Sequence, residues 1–139
     1  MSATAIIPSI IYKDAKTAIE WLVNAFGFKK QLNIPGPNNQ VVHSELVLGF
    51  VMVMIGSSES GSEFSKLVKT PSDFGGFETQ SPYIVVDNPD ELYQSAKANG
   101  AKILIDIKTE DFGGRGFTCA DPEGHIWSFG SYDPWKTVH

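Results

Sequence analysis

Cysteine and histidine are both scarce: the chain has one cysteine, Cys119, and three histidines among 139 residues. A lone cysteine excludes an internal disulfide and the paired-cysteine spacing of structural zinc sites. The longest apolar run, 46–55, is too short to span a bilayer. Residues 1–14 lack the basic and apolar regions of a secretion signal. We therefore expect a cytoplasmic protein that does not bind membranes.

Basic residues are also few, with 11 Lys and Arg against 16 Asp and Glu and a net charge of -5. An acidic surface repels phosphate backbones, so we expect no nucleic-acid partner, whereas a cationic ligand is favoured. The length fits one domain, and a hydrophobic share of 42% is typical of a globular protein. The sequence thus predicts a single domain over 1–139.

The first half reads as strand, helix and three strands. A β-branched run at 6–12 predicts a strand, and Asp14 is a suitable cap for a helix that Gly27 ends. Alternating segments at 29–34, 41–48 and 50–55 predict the three strands that follow.

The second half repeats this order. A strand at 82–86 precedes a helix capped by Asn88, with Pro89 in the first helical position and Gly100 at its end. Segments 102–107, 116–119 and 125–131 predict three strands, the last two joined by the turn Asp-Pro-Glu-Gly at 121–124. Self-similarity of this kind indicates a duplicated βαβββ unit. The predicted modules are 4–56 and 80–133, joined by 57–79.

Three segments carry a family resemblance: AIEWLVNAFGF at 18–28, SPYIVVDNPDELYQSAKANGA at 81–101 and GRGFTCADPEGHIWSFGSYDPW at 114–135. With the tandem βαβββ order, the chain resembles the vicinal oxygen chelate superfamily, which includes glyoxalase I, extradiol dioxygenases, fosfomycin resistance enzymes and bleomycin resistance proteins. The resemblance implies an α+β fold whose tandem modules form a curved, cup-like mixed sheet with the helices on the outer face. It also implies a homodimer, with the cleft formed in one chain or across two.

Metal-dependent members of that superfamily carry their ligands on the first and last strands of each module. Aligned on that pattern, the four positions here are Ile7, Met54, Ser81 and Ser128. None of these is a competent ligand for a divalent metal, and shifting the register by one residue introduces only a glutamine, Gln80. We therefore expect no metal and no other cofactor.

Candidate catalytic residues are His43, Glu45 and Arg115. His43 and Glu45 stand two residues apart on one strand face, where they could form a proton-transfer pair or an ordinary polar pair. Arg115 follows a glycine pair and could hold a ligand carboxylate or pair with Glu110 or Asp111. His125, after the turn, is interpreted as a residue that only begins the last strand.

Candidate ligand-binding residues are adaptable or aromatic side chains: Met52, Met54, Tyr83, Phe112, Phe117 and Ser128. By alternation, Trp127 and Phe129 point to the helix side and are assigned to the core. Trp21 is placed at the core edge or on a dimer surface. Segment 57–79 is long for a connection, so we expect it to fold over the cleft or onto a partner.

These features predict a metal-free protein that binds and sequesters a small molecule, aromatic or cationic, similar to bleomycin resistance proteins. The alternative is a metal-independent isomerase, epimerase or lyase that uses His43 with Glu45 as its base. A third interpretation is a domain that acts through protein contacts, with a cleft filled by its own side chains.

Overall fold

A computed structural model of the chain describes residues 1–136, and it contains eight strands and two α-helices. The first half comprises β1 (Ser9–Tyr12), α1 (Ala15–Phe26), β2 (Lys29–Pro35), β3 (Val41–Leu48) and β4 (Val51–Ser57). The second comprises β5 (Tyr83–Val85), α2 (Pro89–Ala98), β6 (Lys102–Thr109), β7 (Arg115–Ala120) and β8 (Ile126–Gly130). The predicted repeat of strand, helix and three strands is confirmed, although β1 and β5 are shorter than expected.

Each half forms its own four-stranded mixed sheet, in the order β1-β4-β3-β2 and β5-β8-β7-β6. The first and last strand of each half are parallel neighbours, and the other pairs are antiparallel. The architecture is therefore α+β, as expected, with the same topology in both halves.

Helix boundaries follow local chemistry. The Asp14 side chain accepts the backbone N–H of Thr17 at the start of α1, and Gly27 ends that helix in the left-handed conformation with φ 85°. Asn88 caps α2 in the same way by accepting the N–H of Glu91, directly before Pro89. These caps satisfy N–H groups that a helix leaves unpaired, which explains why both helices begin where the sequence predicted.

One apolar core joins the two halves. Phe26 on α1 packs against Trp127 and Phe129 on β8, with ring centroids 5.4 Å and 4.7 Å apart. Trp127 and Phe129 are fully buried, as predicted. Trp21 lies at the core edge, where its indole N–H donates to the carbonyl of Asn99 at the end of α2. Full burial of such large rings contributes about 1.5–3 kcal/mol each, so this shared core holds the halves together.

Each sheet has one face packed on that core and one face free of the helices. We call the free faces the N-face and the C-face. Side chains on the N-face are Leu32, Ile34, His43, Glu45, Met52 and Met54. Side chains on the C-face are Tyr83, Val85, Ile105, Thr118 and Ser128. Neither helix in the part that the structure describes has the length and apolar character needed to cross a membrane.

Candidate functional site

Strand register shows which first-strand residues face Met54 and Ser128. On the N-face Ser9 lies opposite Met54, and on the C-face Tyr83 lies opposite Ser128. Ile7 and Ser81, the first-strand positions expected from sequence, lie two residues before β1 and β5.

These four facing positions, Ser9, Met54, Tyr83 and Ser128, do not fit a divalent metal. They offer two hydroxyls, a thioether and a phenol, and hard divalent ions prefer carboxylate, amide or imidazole donors. Among residues 1–136, no three His, Cys, Asp or Glu side chains lie close enough together to hold a metal ion.

The C-face holds a shallow hollow of about 230 Å³. Its floor is the hydrogen-bonded hydroxyl pair of Thr118 and Ser128, whose oxygens are 2.8 Å apart. Gly130 leaves room for the Tyr83 ring, since a Cβ there would stand 2.6 Å from the Tyr83 hydroxyl oxygen. That hydroxyl donates to the carbonyl of Tyr132 at 2.7 Å, which fixes the ring in place.

Aromatic rings form the rim of this hollow. Phe112 is 65% exposed and meets the ring of Tyr132 edge-on, with centroids 4.9 Å apart. Tyr83 is 46% exposed. The lining of this hollow includes four of the predicted ligand-binding residues, namely Tyr83, Phe112, Phe117 and Ser128.

Phe117, also predicted to bind a ligand, is largely buried. Its ring is 3% exposed and packs between Tyr93 on α2 and Phe129 on β8. It lies on the helix side of β7, where Cys119 is also fully buried. Burial raises the pKa of the Cys119 thiol to about 12, which makes it unreactive. Phe117 is therefore mainly a core residue, and although it contributes to the lining of the hollow, only 3% of its surface is open to a ligand.

Arg115 is also placed differently from the sequence expectation. Its guanidinium donates to both carboxylate oxygens of Asp90 on α2, at 3.0 Å and 2.9 Å, and to the hydroxyl of Thr109. This bidentate pair ties the start of β7 to the first turn of α2. The partner is neither Glu110 nor Asp111, and the guanidinium is directed to the helix side.

The N-face holds a second hollow, of about 390 Å³, between β1, β3 and β4 and the segment that follows β4. His43, Met54 and Phe64 are among the residues that line it. The His43 Nε2 atom is 2.8 Å from Oε2 of Glu45. The structure therefore places His43 at a concave surface together with Met54, while its partner Glu45 is outside the lining of this hollow. Met52 lies on the same face but outside this hollow's lining.

The turn at 121–124 joins the two halves through Asp121. One carboxylate oxygen accepts from the Tyr12 hydroxyl and, at 3.1 Å, from the Trp127 indole, while the other accepts the N–H of Glu123 and of His125. Burial, then the charge of Asp121, raises the pKa of Tyr12 well above its usual value, so the phenol remains a donor. Asp121 is a buried carboxylate with four donors, which anchors β8 to β1.

Glu123 and His125 extend that junction. The two Glu123 carboxylate oxygens accept the backbone N–H groups of Lys13 and Asp14 at 2.7 Å and 2.9 Å. His125, 8% exposed, donates from Nε2 to the carbonyl of Ile11, and its Nδ1 pairs with Glu78. The sequence interpretation of His125 as a simple start of β8 missed this role. The only sequence signal was the acidic turn itself.

Segment 57–79 is ordered by contacts within its own chain. It contains two 3₁₀ turns, Phe64–Lys66 and Pro71–Phe74, and is held by the pairs Lys13–Asp73 and His125–Glu78. It lines the N-face hollow and also a hollow of about 450 Å³ between the starts of β1 and β5. The expectation that this segment folds over a ligand cleft or onto a partner stays a prediction.

Comparisons with known proteins agree with this geometry. An uncharacterised protein of Mycobacterium bovis, Mb0911c, is 29% identical over 126 residues, covering 91% of this chain and 82% of its own. An uncharacterised protein of Mycobacterium tuberculosis, Rv0887c, is likewise 29% identical over 126 residues, covering 91% of this chain and 73% of its own length.

Solved structures with the same fold include TioX from Micromonospora sp. ML1, with a TM-score of 0.69, 25% identity, and coverage of 92% of this chain and 98% of TioX. The fosfomycin resistance protein FosX of Listeria monocytogenes, in complex with Mn(II) and a dihydroxypropylphosphonic acid, has a TM-score of 0.67, 14% identity, and coverage of 96% and 94%. The family model for the glyoxalase/bleomycin resistance protein/dioxygenase superfamily matches residues 5–129. Taken with the two βαβββ sheets, this match shows that the chain belongs to that superfamily.

Proposed function

We propose that the protein binds a small aromatic or cationic molecule on its free sheet faces, without a metal, and sequesters it as bleomycin resistance proteins do. The observation that carries the proposal is the aromatic rim of the C-face hollow, where Tyr83 and Phe112 stay exposed although apolar rings favour burial. Tyr83 is fixed by its bond to Tyr132, so a flat ligand can stack at low entropic cost.

A second copy of the chain completes the site in this proposal. The C-face hollow is lined only by residues of the second half, and the N-face hollow only by residues 9–64. Both faces also expose apolar side chains, including Leu32, Ile34 and Ile105 at 42%, 44% and 51%. Such surfaces favour pairing of one copy's N-face with the other's C-face in a homodimer. Light scattering coupled to size-exclusion chromatography tests this directly, and a monomer at all concentrations would contradict it.

Binding is tested by calorimetric titration with bleomycin and a panel of flat aromatic amines. For any compound that binds, Phe112→Ala should weaken affinity about two- to tenfold, because an aromatic stacking contact is worth about 0.5–1.5 kcal/mol. Phe74→Ala is the matched control, since Phe74 is 63% exposed against 65% for Phe112 but lies in segment 57–79. No binding across the panel, or equal loss in both variants, would contradict the proposal.

The enzymatic alternative retains one supporting observation, namely that His43 lines a hollow and its Nε2 atom is 2.8 Å from the Glu45 carboxylate. It loses its anion holder, because Arg115 is engaged by Asp90. An isomerase, epimerase or lyase of this type removes a proton next to a carbonyl. Incubating hydroxy and oxo acids with the protein in heavy water, with His43→Phe as control, would reveal deuterium incorporation. Absence of exchange with the unmodified protein rejects this alternative.

A further inference from the structure

Three polar side chains form a hydrogen-bonded row on the N-face. The Gln31 amide donates to Oε1 of Glu45 at 2.9 Å, and the other oxygen of Glu45 meets Nε2 of His43 at 2.8 Å. The bond to His43, then the bond to Gln31, lowers the pKa of Glu45, so the group is a carboxylate. Gln31 was not among the residues that the sequence singled out, since nothing in its segment distinguishes it from a surface glutamine.

This row determines which nitrogen of His43 carries the proton. A carboxylate only accepts hydrogen bonds, so Nε2 must be the N–H donor to Glu45. Because Gln31 occupies the other carboxylate oxygen, Glu45 cannot rotate freely and the ring is held in one orientation. In the neutral ring, Nδ1 is then a hydrogen-bond acceptor, and no side chain or backbone group of residues 1–136 bonds to it.

The surroundings of that nitrogen are those of a pocket for a flat ring. The His43 side chain is 34% exposed and lines the hollow of about 390 Å³. Met54, a flexible thioether that adapts to aromatic surfaces, and the half-exposed Phe64 line the same hollow, together with four serines. An acceptor held in one orientation beside apolar side chains favours a ligand that brings its own donor, which then replaces water at that nitrogen.

We infer that the N-face hollow selects flat aromatic ligands that carry an N–H or O–H donor, which His43 Nδ1 accepts, with Glu45 and Gln31 as positioning residues. This inference rests on the proposed binding function and names the chemistry of its ligand. A neutral hydroxyl and a protonated amine share the required donor. The negative charge of Glu45, bonded to the other side of the imidazole, stabilises the hydrogen bond from either a hydroxyl or an amine to Nδ1.

Two pairs of probes isolate the donor. Naphthol is compared with its methyl ether, and naphthylmethylamine with its quaternary trimethylammonium derivative, by calorimetry on the full chain. The two members of each pair have the same ring, and those of the second pair also have the same charge. The methyl ether and the trimethylammonium derivative lack the N–H or O–H donor. We expect the donor-bearing member of at least one pair to bind about tenfold more tightly, the effect of one hydrogen bond in a site where loss leaves a polar atom unpaired. The pair whose members bind with different affinity shows whether the protein prefers a hydroxyl or an amine as the donor.

Variants separate a specific role from general damage. His43→Phe keeps the ring but removes Nδ1, so it should abolish discrimination between the members of the pair. Glu45→Gln and Gln31→Leu should each reduce it. Glu20→Gln is the matched control, because it removes the same charge from an exposed ion pair with Lys30 on the helix side and should leave discrimination unchanged. Thermal unfolding of each variant checks that it is folded. If His43→Phe does not fold, Glu45→Gln provides the test of discrimination in its place.

The outcomes distinguish this inference from the proposed function. Equal binding within both pairs, or discrimination that survives both His43→Phe and Glu45→Gln, overturns the inference and leaves small-molecule binding standing. If none of the four probes binds, the inference is rejected, while the panel titration with Phe112→Ala still decides the proposed function.

Discussion

The N-face and the C-face are built on the same strand register but carry different chemistry. Ser9 opposite Met54 on the first sheet corresponds to Tyr83 opposite Ser128 on the second. From these equivalent positions the N-face presents thioethers and a histidine held by Glu45, whereas the C-face presents fixed aromatic rings over hydroxyls. The duplicated backbone therefore sets where the side chains stand, and the two faces differ in the chemistry of those side chains.

The turns before the last strands differ even more. In the first half, the turn between β3 and β4 places Phe50 fully in solvent. In the second half, the equivalent turn is buried against β1 and α1 through Asp121 and Glu123. Of these two turns, the second is therefore the one whose side chains bond to the other half.

The largest expected effect follows from removing that one-sided junction. Asp121→Ala leaves the Tyr12 hydroxyl, the Trp127 indole and two backbone N–H groups without their acceptor in a buried site. Unpaired buried donors cost about 1–3 kcal/mol each, partly relieved by water, so we expect the free energy of unfolding to fall by about 3 kcal/mol or more. Urea denaturation followed by tryptophan fluorescence measures it.

Asp111→Ala, in an exposed loop, is the control for Asp121→Ala and should change stability little. If both variants lose the same small amount, the junction does not stabilise the chain and the asymmetry between the two turns is without consequence.

A smaller effect distinguishes two equivalent glycines. Gly56 on β4 and Gly130 on β8 each stand two residues beyond Met54 and Ser128. A Cβ at Gly130 would lie 2.6 Å from the Tyr83 hydroxyl and 3.1 Å from the carbonyl of Arg115, whereas at Gly56 its nearest neighbour is 3.4 Å away. We expect Gly130→Ala to cost about 1–3 kcal/mol through overpacking and Gly56→Ala to be nearly neutral. Thermal unfolding of both variants provides the comparison, and equal losses would show that the two faces are packed alike.

The sequence predicted the fold well because its signals are local. The signals are the caps at Asp14 and Asn88 and the alternation in the strands, which act within a few residues. The repeated order of elements adds to them, because the assignment of one half supports that of the other. The same alternation correctly assigned Trp127 and Phe129 to the core. Tyr83, Phe112 and Ser128 lie at one hollow because they stand on neighbouring strands or on the adjacent loop, whereas Met54, predicted with them, lines a different hollow.

The remaining features depend on contacts between distant parts of the chain. Arg115 pairs with Asp90, on the helix that covers its sheet, and Phe117 faces that helix because the β7 register places it there. Glu123 bonds to backbone groups more than a hundred residues earlier. Gln31 reaches Glu45 across a bulge between β2 and β3. None of these pairings has a signature in the spacing of residues along the sequence.

The smallest expected effect concerns pH and only the N-face. The pKa of Glu45 is lowered below its ordinary value of 4.5, first by the bond from His43 and then by that from Gln31. A carboxyl whose pKa is lower in the folded state contributes stability above its unfolded pKa, and that contribution is lost as pH falls through the folded value. In His43→Phe the pKa of Glu45 should rise towards 4.5, and in Gln31→Leu it should rise less. A carbon-13 NMR titration of the carboxyl measures both shifts. Because His43 supplies the main bond, a larger rise in Gln31→Leu than in His43→Phe would reverse the order of the two partners and show that Gln31 holds the carboxylate.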